Sequence, residues 1–220
     1  MKASVFIGTS LDGFIARVNG DFDFLPPGGG EPHGYDEFMA TVDALVIGRN
    51  TFETVLKFAS WPYMEKPVFV LSTRPLAPAP VGAVVERMSG APGSIVSKLS
   101  ARGIRHAYVD GGMTIQRFLQ AGLIQHLIIT RVPVLVGTGI PLFGALRHDI
   151  SLKHVATRQY ASGLVQSEYE VKTKSLRRIR PKTDRAKGKA SGTQRRSAVA
   201  SLHSTQKPPN NRLQRTALPR

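Results

Sequence analysis

The sequence predicts an α/β domain with a mostly parallel central sheet, helices on both faces and an antiparallel hairpin at the end. Three observations carry this. Short apolar runs of strand length alternate with segments whose apolar residues recur at helical spacing. Several of these runs end on glycine just before a helical pattern opens, as a strand does when it turns sharply into a helix. The last two runs, residues 152–161 and 163–172, meet at Ser162-Gly163 with no helix between them, which is hairpin grammar.

Lys2 to Ser10 reads as the first strand, with Val5, Phe6 and Ile7 buried, and Leu11 to Ala16 leaves it through an Asp-Gly turn. Residues 17–34 are broken by Asn19-Gly20, Pro26-Pro27 and a run of three glycines, so they are loop. Tyr35 to Asp43 is a short helix with Phe38, Met39 and Val42 on one side. Ala44 to Ile47 is a buried strand running into Gly48-Arg49-Asn50-Thr51 and a helix carrying Phe52, Val55 and Leu56. Pro67 to Leu71 is the next strand, closed by Ser72-Thr73-Arg74-Pro75, and Val84-Val85 opens a short one after it. Pro92 to Ala101 is a helix with Ile95, Val96 and Leu99 inward. Arg105 to Val109 returns to the sheet and meets Asp110-Gly111-Gly112, after which Ile115, Phe118 and Leu119 mark a helix that stops at Gly122. Gln125 to Val132 is a strand, and GTGIPLFG (137–144) reads as a turn in a pocket wall.

Charge divides the chain. The net charge of the 220 residues is +15, yet residues 1–172 carry 16 Lys and Arg against 14 Asp and Glu, while residues 173–220 carry 14 against the single acid Asp184. The basicity therefore belongs to a tail too polar to bury a core, which reads as disordered. A nucleic-acid contact is expected, if anywhere, only through that tail. With no cysteine, disulfides and thiolate metal sites are excluded, and so is the Cys-x-x-Cys zinc site of nucleobase deaminases. The six histidines show no metal spacing. No stretch reads as a signal peptide or a membrane helix, so the expectation is a soluble cytoplasmic protein.

Three strand ends share one design. Gly48-Arg49-x-Thr51 and Gly111-Gly112 each open a helix, and Leu71-Ser72-Thr73-Arg74 leaves a strand with hydroxyls and a cation. In an open α/β sheet, ligands bind at the carboxyl ends of the strands. Uncapped helix N–H groups suit phosphates, and Arg49 and Arg74 add fixed positive charge suited to an extra phosphate such as that on NADP. Each motif alone is also compatible with an ordinary α/β domain bearing exposed arginines.

In this order, TSLDGFIA, VIGRNTFE, VFVLSTRP, YVDGGMTIQRFLQAGLI and LIITRVPVLVGTGIPLF resemble the dihydrofolate reductase superfamily. The nearer resemblance is to the branch typified by the C-terminal reductase domain of the bifunctional riboflavin-biosynthesis protein. It spans residues 2–172. The resemblance implies a three-layer fold of dihydrofolate reductase type, an eight-stranded sheet and NADPH as cofactor. It implies that Gly48, Arg49 and Thr51 hold the pyrophosphate side and the 2′-phosphate, and that Leu71, Ser72 and Thr73 line the adenosine end with Arg74 nearby. Gly111, Gly112, Met113, Thr114 and Ile115 would cradle the pyrophosphate from the second helix, across a cis peptide between Gly111 and Gly112. Ile15 and Ala16 match positions whose backbone meets the nicotinamide carboxamide, and Thr130 a threonine that reaches substrate. A homodimer through the sheet-end hairpin is part of the same analogy.

Two departures stand out. The cation after the serine of Leu71-Ser72 comes one residue late, at Arg74, and Asp36 and Glu37 do not align with the acid of folate reductases. The activity implied is therefore that of a 5-amino-6-(5-phosphoribosylamino)uracil reductase, transferring hydride to a pyrimidine- or pterin-type small molecule. The alternatives are an NADPH-binding protein without turnover and a basic-tail nucleic-acid-binding protein. Such a reductase needs a proton donor or an ordered water near the nicotinamide. Asp12 is the first candidate for it, and Asp110 the candidate for a substrate hydroxyl or amine. Both also read as ordinary turn residues.

Overall fold

The computed structural model describes residues 1–26 and 31–172; the tail from residue 173, with the disorder expected for it, lies outside the described residues. In chain order the elements are β1 (Lys2–Ser10), β2 (Phe14–Ala16), α1 (Tyr35–Thr41), β3 (Ala44–Gly48), α2 (Arg49–Val55), β4 (Val68–Leu71), β5 (Val85–Met88), α3 (Pro92–Ala101), β6 (His106–Asp110), α4 (Gly112–Gln120), β7 (His126–Val132), β8 (Ile140–Pro141), β9 (Leu152–Gln159) and β10 (Val165–Val171). Pro at the start of α3 suits a first turn, where its missing N–H costs nothing.

Eight strands form one sheet in the order β5-β4-β3-β6-β1-β7-β10-β9. From β5 to β7 every neighbouring pair is parallel, and β10 joins antiparallel to both β7 and β9. The C-terminal hairpin expected from sequence is thus present. A second, two-stranded sheet pairs β2 with β8. Its β8 half lies within the stretch read from sequence as a plain turn, because two residues are too few to show any period.

Alternation along β3 decides the layers. Ala44 and Val46 face one way and join Val5, Val109, Ile95, Leu99, Ile115 and Phe118. Leu45 and Ile47 face the other way and join Phe6, Phe38, Met39, Phe52, Val55 and Val68. Successive side chains of a strand must point to opposite faces, so a strand apolar at every position needs a cover on each. Helices α3 and α4 supply one cover, α1 and α2 the other.

This arrangement places a crevice. Strands β3 and β6 are neighbours, and the helices that leave their carboxyl ends, α2 and α4, go to opposite faces of the sheet. The backbone splits there, at the kind of switch point where α/β sheets take ligands.

Candidate active site at the strand ends

An open groove of about 1190 Å³ runs along the carboxyl ends of β5, β4, β3 and β6 and on toward β1. It collects Gly48, Arg49 and Thr51, then Leu71, Ser72, Thr73 and Arg74, then Gly111, Gly112, Met113 and Thr114, with Ile15 and Ala16 beside them. Motifs dispersed through a hundred residues of sequence thus line one surface.

The two helix starts are built alike. Helix α2 follows Gly48, and α4 follows Gly111; neither first turn contains an acid, and neither has a side-chain cap. At the start of the nine-residue α4 the leading N–H groups have no side-chain cap. Gly111 sits at φ +91°, a conformation that side chains rarely adopt. A Cβ there would also collide with Thr51 Oγ1, and a Cβ on Gly48 would come within 2.9 Å of Thr114 Oγ1. Each threonine therefore fills the notch left by the other helix's glycine. Ile15 is placed the same way: its Cδ1 would be 2.9 Å from a Cβ on Gly112.

The cations differ in availability. Arg49 Nε donates to Glu53 Oε1 at 2.6 Å, one helical turn on. Arg74 makes no ion pair among the described residues, and its backbone is held in a tight turn. Ser72 Oγ accepts the Arg74 N–H at 3.0 Å and donates to the Arg74 carbonyl at 2.7 Å. Ser72 is thus occupied in shaping the turn, and Arg74 is the cation that the turn presents.

The floor is acidic and aromatic. Asp110 ends β6 half-buried in the groove, and burial pushes its carboxyl up to about 6, against the lowering effect of the Gly111 N–H that Oδ1 accepts at 2.7 Å. Its Oδ2 has no hydrogen bond among the described residues. Tyr35, Tyr63 and Tyr108 line the same groove, and each phenol is pushed up, first by burial and then by the charge of Asp110. Tyr108 donates to the Phe6 carbonyl at 2.7 Å. None of the three tyrosines stood out in sequence. Tyr35 belonged to a helix, Tyr108 to a buried strand, and Tyr63 to the loop after α2, where aromatics more often pack. Trp61 packs against Phe52 and Tyr63, whereas Phe58 lines the groove and is half-exposed.

Four expectations meet a different setting in the structure. Asp12 does not line the groove: its carboxylate accepts Ser10 Oγ–H at 2.6 Å and the N–H groups of Val136 and Gly137 at 3.2 and 2.7 Å. These bonds, the serine's foremost, hold it below the ordinary carboxylate range, so it is an ionised clamp on the loop after β7 and a poor proton donor. Thr130 is buried and does not line the groove, and its Oγ1 accepts Gln166 Nε2–H at 3.0 Å. Ile115 is a core residue whose N–H is already bonded to the Gly111 carbonyl at 2.9 Å. No cis peptide occurs among the described residues, so the Gly111–Gly112 bond is trans.

The residues present fit a dinucleotide with an added phosphate. The donor set combines the N–H groups at the start of α4, a turn that exposes Arg74, and glycines at the positions where a side chain would fill the crevice.

Comparisons with known proteins agree with this architecture. Over 171 residues the chain is 31% identical to the uncharacterized protein YwjB of Bacillus subtilis (strain 168), covering 76% of this chain and 97% of that one. Among solved structures, a protein named "Putative riboflavin biosynthesis protein" from Shewanella sp. PV-4 is 41% identical, with a TM-score of 0.73, covering 79% of this chain and all of that one. Dihydrofolate reductase from Enterococcus faecalis, complexed with NADP(H) and RAB-propyl, shares the fold at 16% identity and a TM-score of 0.53, covering 78% of this chain and 97% of that one. The sequence profile of the RibD C-terminal domain matches residues 2–166. With three quarters of its length so matched, the chain belongs to the RibD C-terminal domain family.

Proposed function

We propose that the protein is an NADPH-dependent reductase of the riboflavin-reductase type, acting on a pyrimidine- or pterin-like small molecule. The observation that carries this is the convergence of Gly48–Thr51, Leu71–Arg74 and Gly111–Thr114 on one groove that also holds the half-buried Asp110. NADPH, when bound, supplies the hydride. The chain supplies placement and a proton.

Gly111, Gly112 and the first N–H groups of α4 receive the pyrophosphate. Arg74 meets the 2′-phosphate, and Arg49 does so only on leaving Glu53. Ile15 and Ala16 form the wall for the nicotinamide end, backed by the β2–β8 pair. Asp110, not Asp12, is the acid: with a carboxyl near 6, a useful fraction stays protonated close to neutral pH, and Oδ2 is the oxygen left to deliver that proton. Tyr35 and Tyr63 line the same groove.

Binding tests this directly. NADPH should raise the melting temperature of the full chain more than NADH, and equal shifts would overturn the phosphate assignment. NADPH oxidation is then screened against pyrimidine, pterin and small carbonyl substrates. A screen that finds no oxidation, with NADPH bound, would favour a binding protein without turnover.

A further inference from the structure

Arg87 stands on β5, the edge strand beside β4. Successive residues of a strand point to opposite faces, and here the two faces differ. Glu86 and Met88 turn toward α3, where Glu86 Oε2 accepts Arg102 Nη1–H at 2.6 Å and Met88 joins the cluster of Ile95 and Leu99. Val85 and Arg87 turn the other way, and Val85 packs on the cluster of Phe52. Arg87 is exposed, belongs to no ion pair among the described residues and does not line the groove. Among the described residues its side chain makes one hydrogen bond: Nη1 donates to the Thr73 carbonyl at 3.3 Å.

That carbonyl belongs to the peptide joining Thr73 to Arg74. A trans peptide is a plane with its C=O on one edge and its N–H on the other, and both edges of this one are held. The Arg74 N–H donates to Ser72 Oγ at 3.0 Å, and the C=O accepts from Arg87. The turn is moored to β5 a second time, since the Ser72 N–H donates to the Met88 carbonyl at 2.9 Å. On the far side of Arg74, its carbonyl accepts Ser72 Oγ–H at 2.7 Å, and Pro75 narrows the Arg74 backbone to extended conformations. A pinned peptide before the Arg74 Cα and a restricted one after it fix the direction in which the side chain leaves the backbone.

We propose that Arg87 is a positioning residue for that cation: by holding the Thr73–Arg74 peptide it keeps Arg74 aimed at the 2′-phosphate of the cofactor, and so sets the preference for NADPH over NADH without touching either. The gain is preorganisation, because a cation already aimed gives up less freedom on binding. This inference rests on the reading of Arg74 as the phosphate contact.

A double-variant cycle tests it. The full chain is titrated calorimetrically with NADPH and with NADH as wild type, Arg87→Met, Arg74→Gln and the double variant. Arg87→Met is expected to weaken NADPH about three- to fivefold and to leave NADH within about twofold. In the Arg74→Gln background it should change neither, because the cation it aims is gone. Ligand-free Arg87→Met should melt close to wild type, as expected for an exposed position. Equal loss of NADPH affinity in both Arg74 backgrounds would overturn the inference, since Arg87 would then be a contact in its own right. A matching loss of NADH would also overturn it, by making Arg87 a general support of the fold. A wild-type preference for NADPH that survives intact in Arg87→Met would overturn this inference alone. A wild type without that preference would overturn the cofactor reading and this inference with it.

Discussion

Thr51 Oγ1 occupies the space that a side chain on Gly111 would need. The contact joins the first turn of α2 to the residue that precedes α4, across the split between β3 and β6. The two glycine motifs are therefore parts of one joint. Gly111→Ala should be strongly destabilising, since it adds a clash of about 1–3 kcal/mol to an unfavourable φ of about 1–2 kcal/mol. Thr51→Ala should relieve the clash and leave the φ strain, so the double variant should be more stable than the sum of the single changes predicts. Thermal melts of the four proteins check this, and strict additivity would refute the joint.

Arg74 should dominate discrimination between the two nicotinamide cofactors. Arg74→Gln is expected to weaken NADPH on the order of tenfold, as for one charge-assisted phosphate contact, and to leave NADH nearly unchanged. Glu53→Gln should act in the opposite direction by releasing Arg49, tightening NADPH by a few-fold. Calorimetric titration with both cofactors reads each effect.

Asp110 links activity and stability to pH with a definite sign. Its carboxyl is raised in the folded protein to about 6, so between the ordinary carboxylate value and 6 the folded state binds more protons than the unfolded one. Stability supplied by that proton is complete at low pH and declines as pH rises through 6. Turnover that depends on the same proton should fall over the same range. Asp110→Asn should therefore stabilise the protein at pH 8 by up to about 3 kcal/mol while abolishing the pH-dependent turnover. Denaturant melts at pH 5 and pH 8, with a pH–rate profile, decide it.

Asp12→Asn separates the clamp from the acid. The variant should loosen the loop around Val136 and Gly137 and lower the melting temperature, yet keep the shape of the pH–rate profile. A profile that lost its acid limb would return the proton role to Asp12.

Residues 173–220 should be dispensable for the chemistry. A chain ending at Lys172 is expected to keep its cofactor-induced melting shift and its turnover, and to lose any salt-sensitive binding of nucleic acid. Loss of turnover on truncation would assign the tail to the folded domain.

Much of this was legible in the sequence, for particular reasons. Strands β3 and β4 are apolar at nearly every position, the other parallel strands carry short apolar runs, and α3 and α4 show clear helical spacing, so their order was readable. The glycine turns after β3 and β6 marked the groove, because glycine before a helix is a local signal. Other features had no local signal. Asp12 and Asp110 look alike in sequence, each an aspartate before glycine, and only the fold shows that one is tied to a loop while the other stands half-buried in the groove. Thr130 and Ile115 carried family roles by position, but strand alternation and helix phase turn both into the interior. Tyr63 comes to the groove through an irregular loop, where periodicity says nothing about direction.

Because α2 and α4 belong to opposite layers, whatever spans their tips acts as a staple through the whole molecule. Occupancy should then slow amide exchange in the Phe52 cluster and in the Phe118 cluster together, although the sheet lies between them. A molecule gripping only one tip would quiet one layer and leave the other breathing.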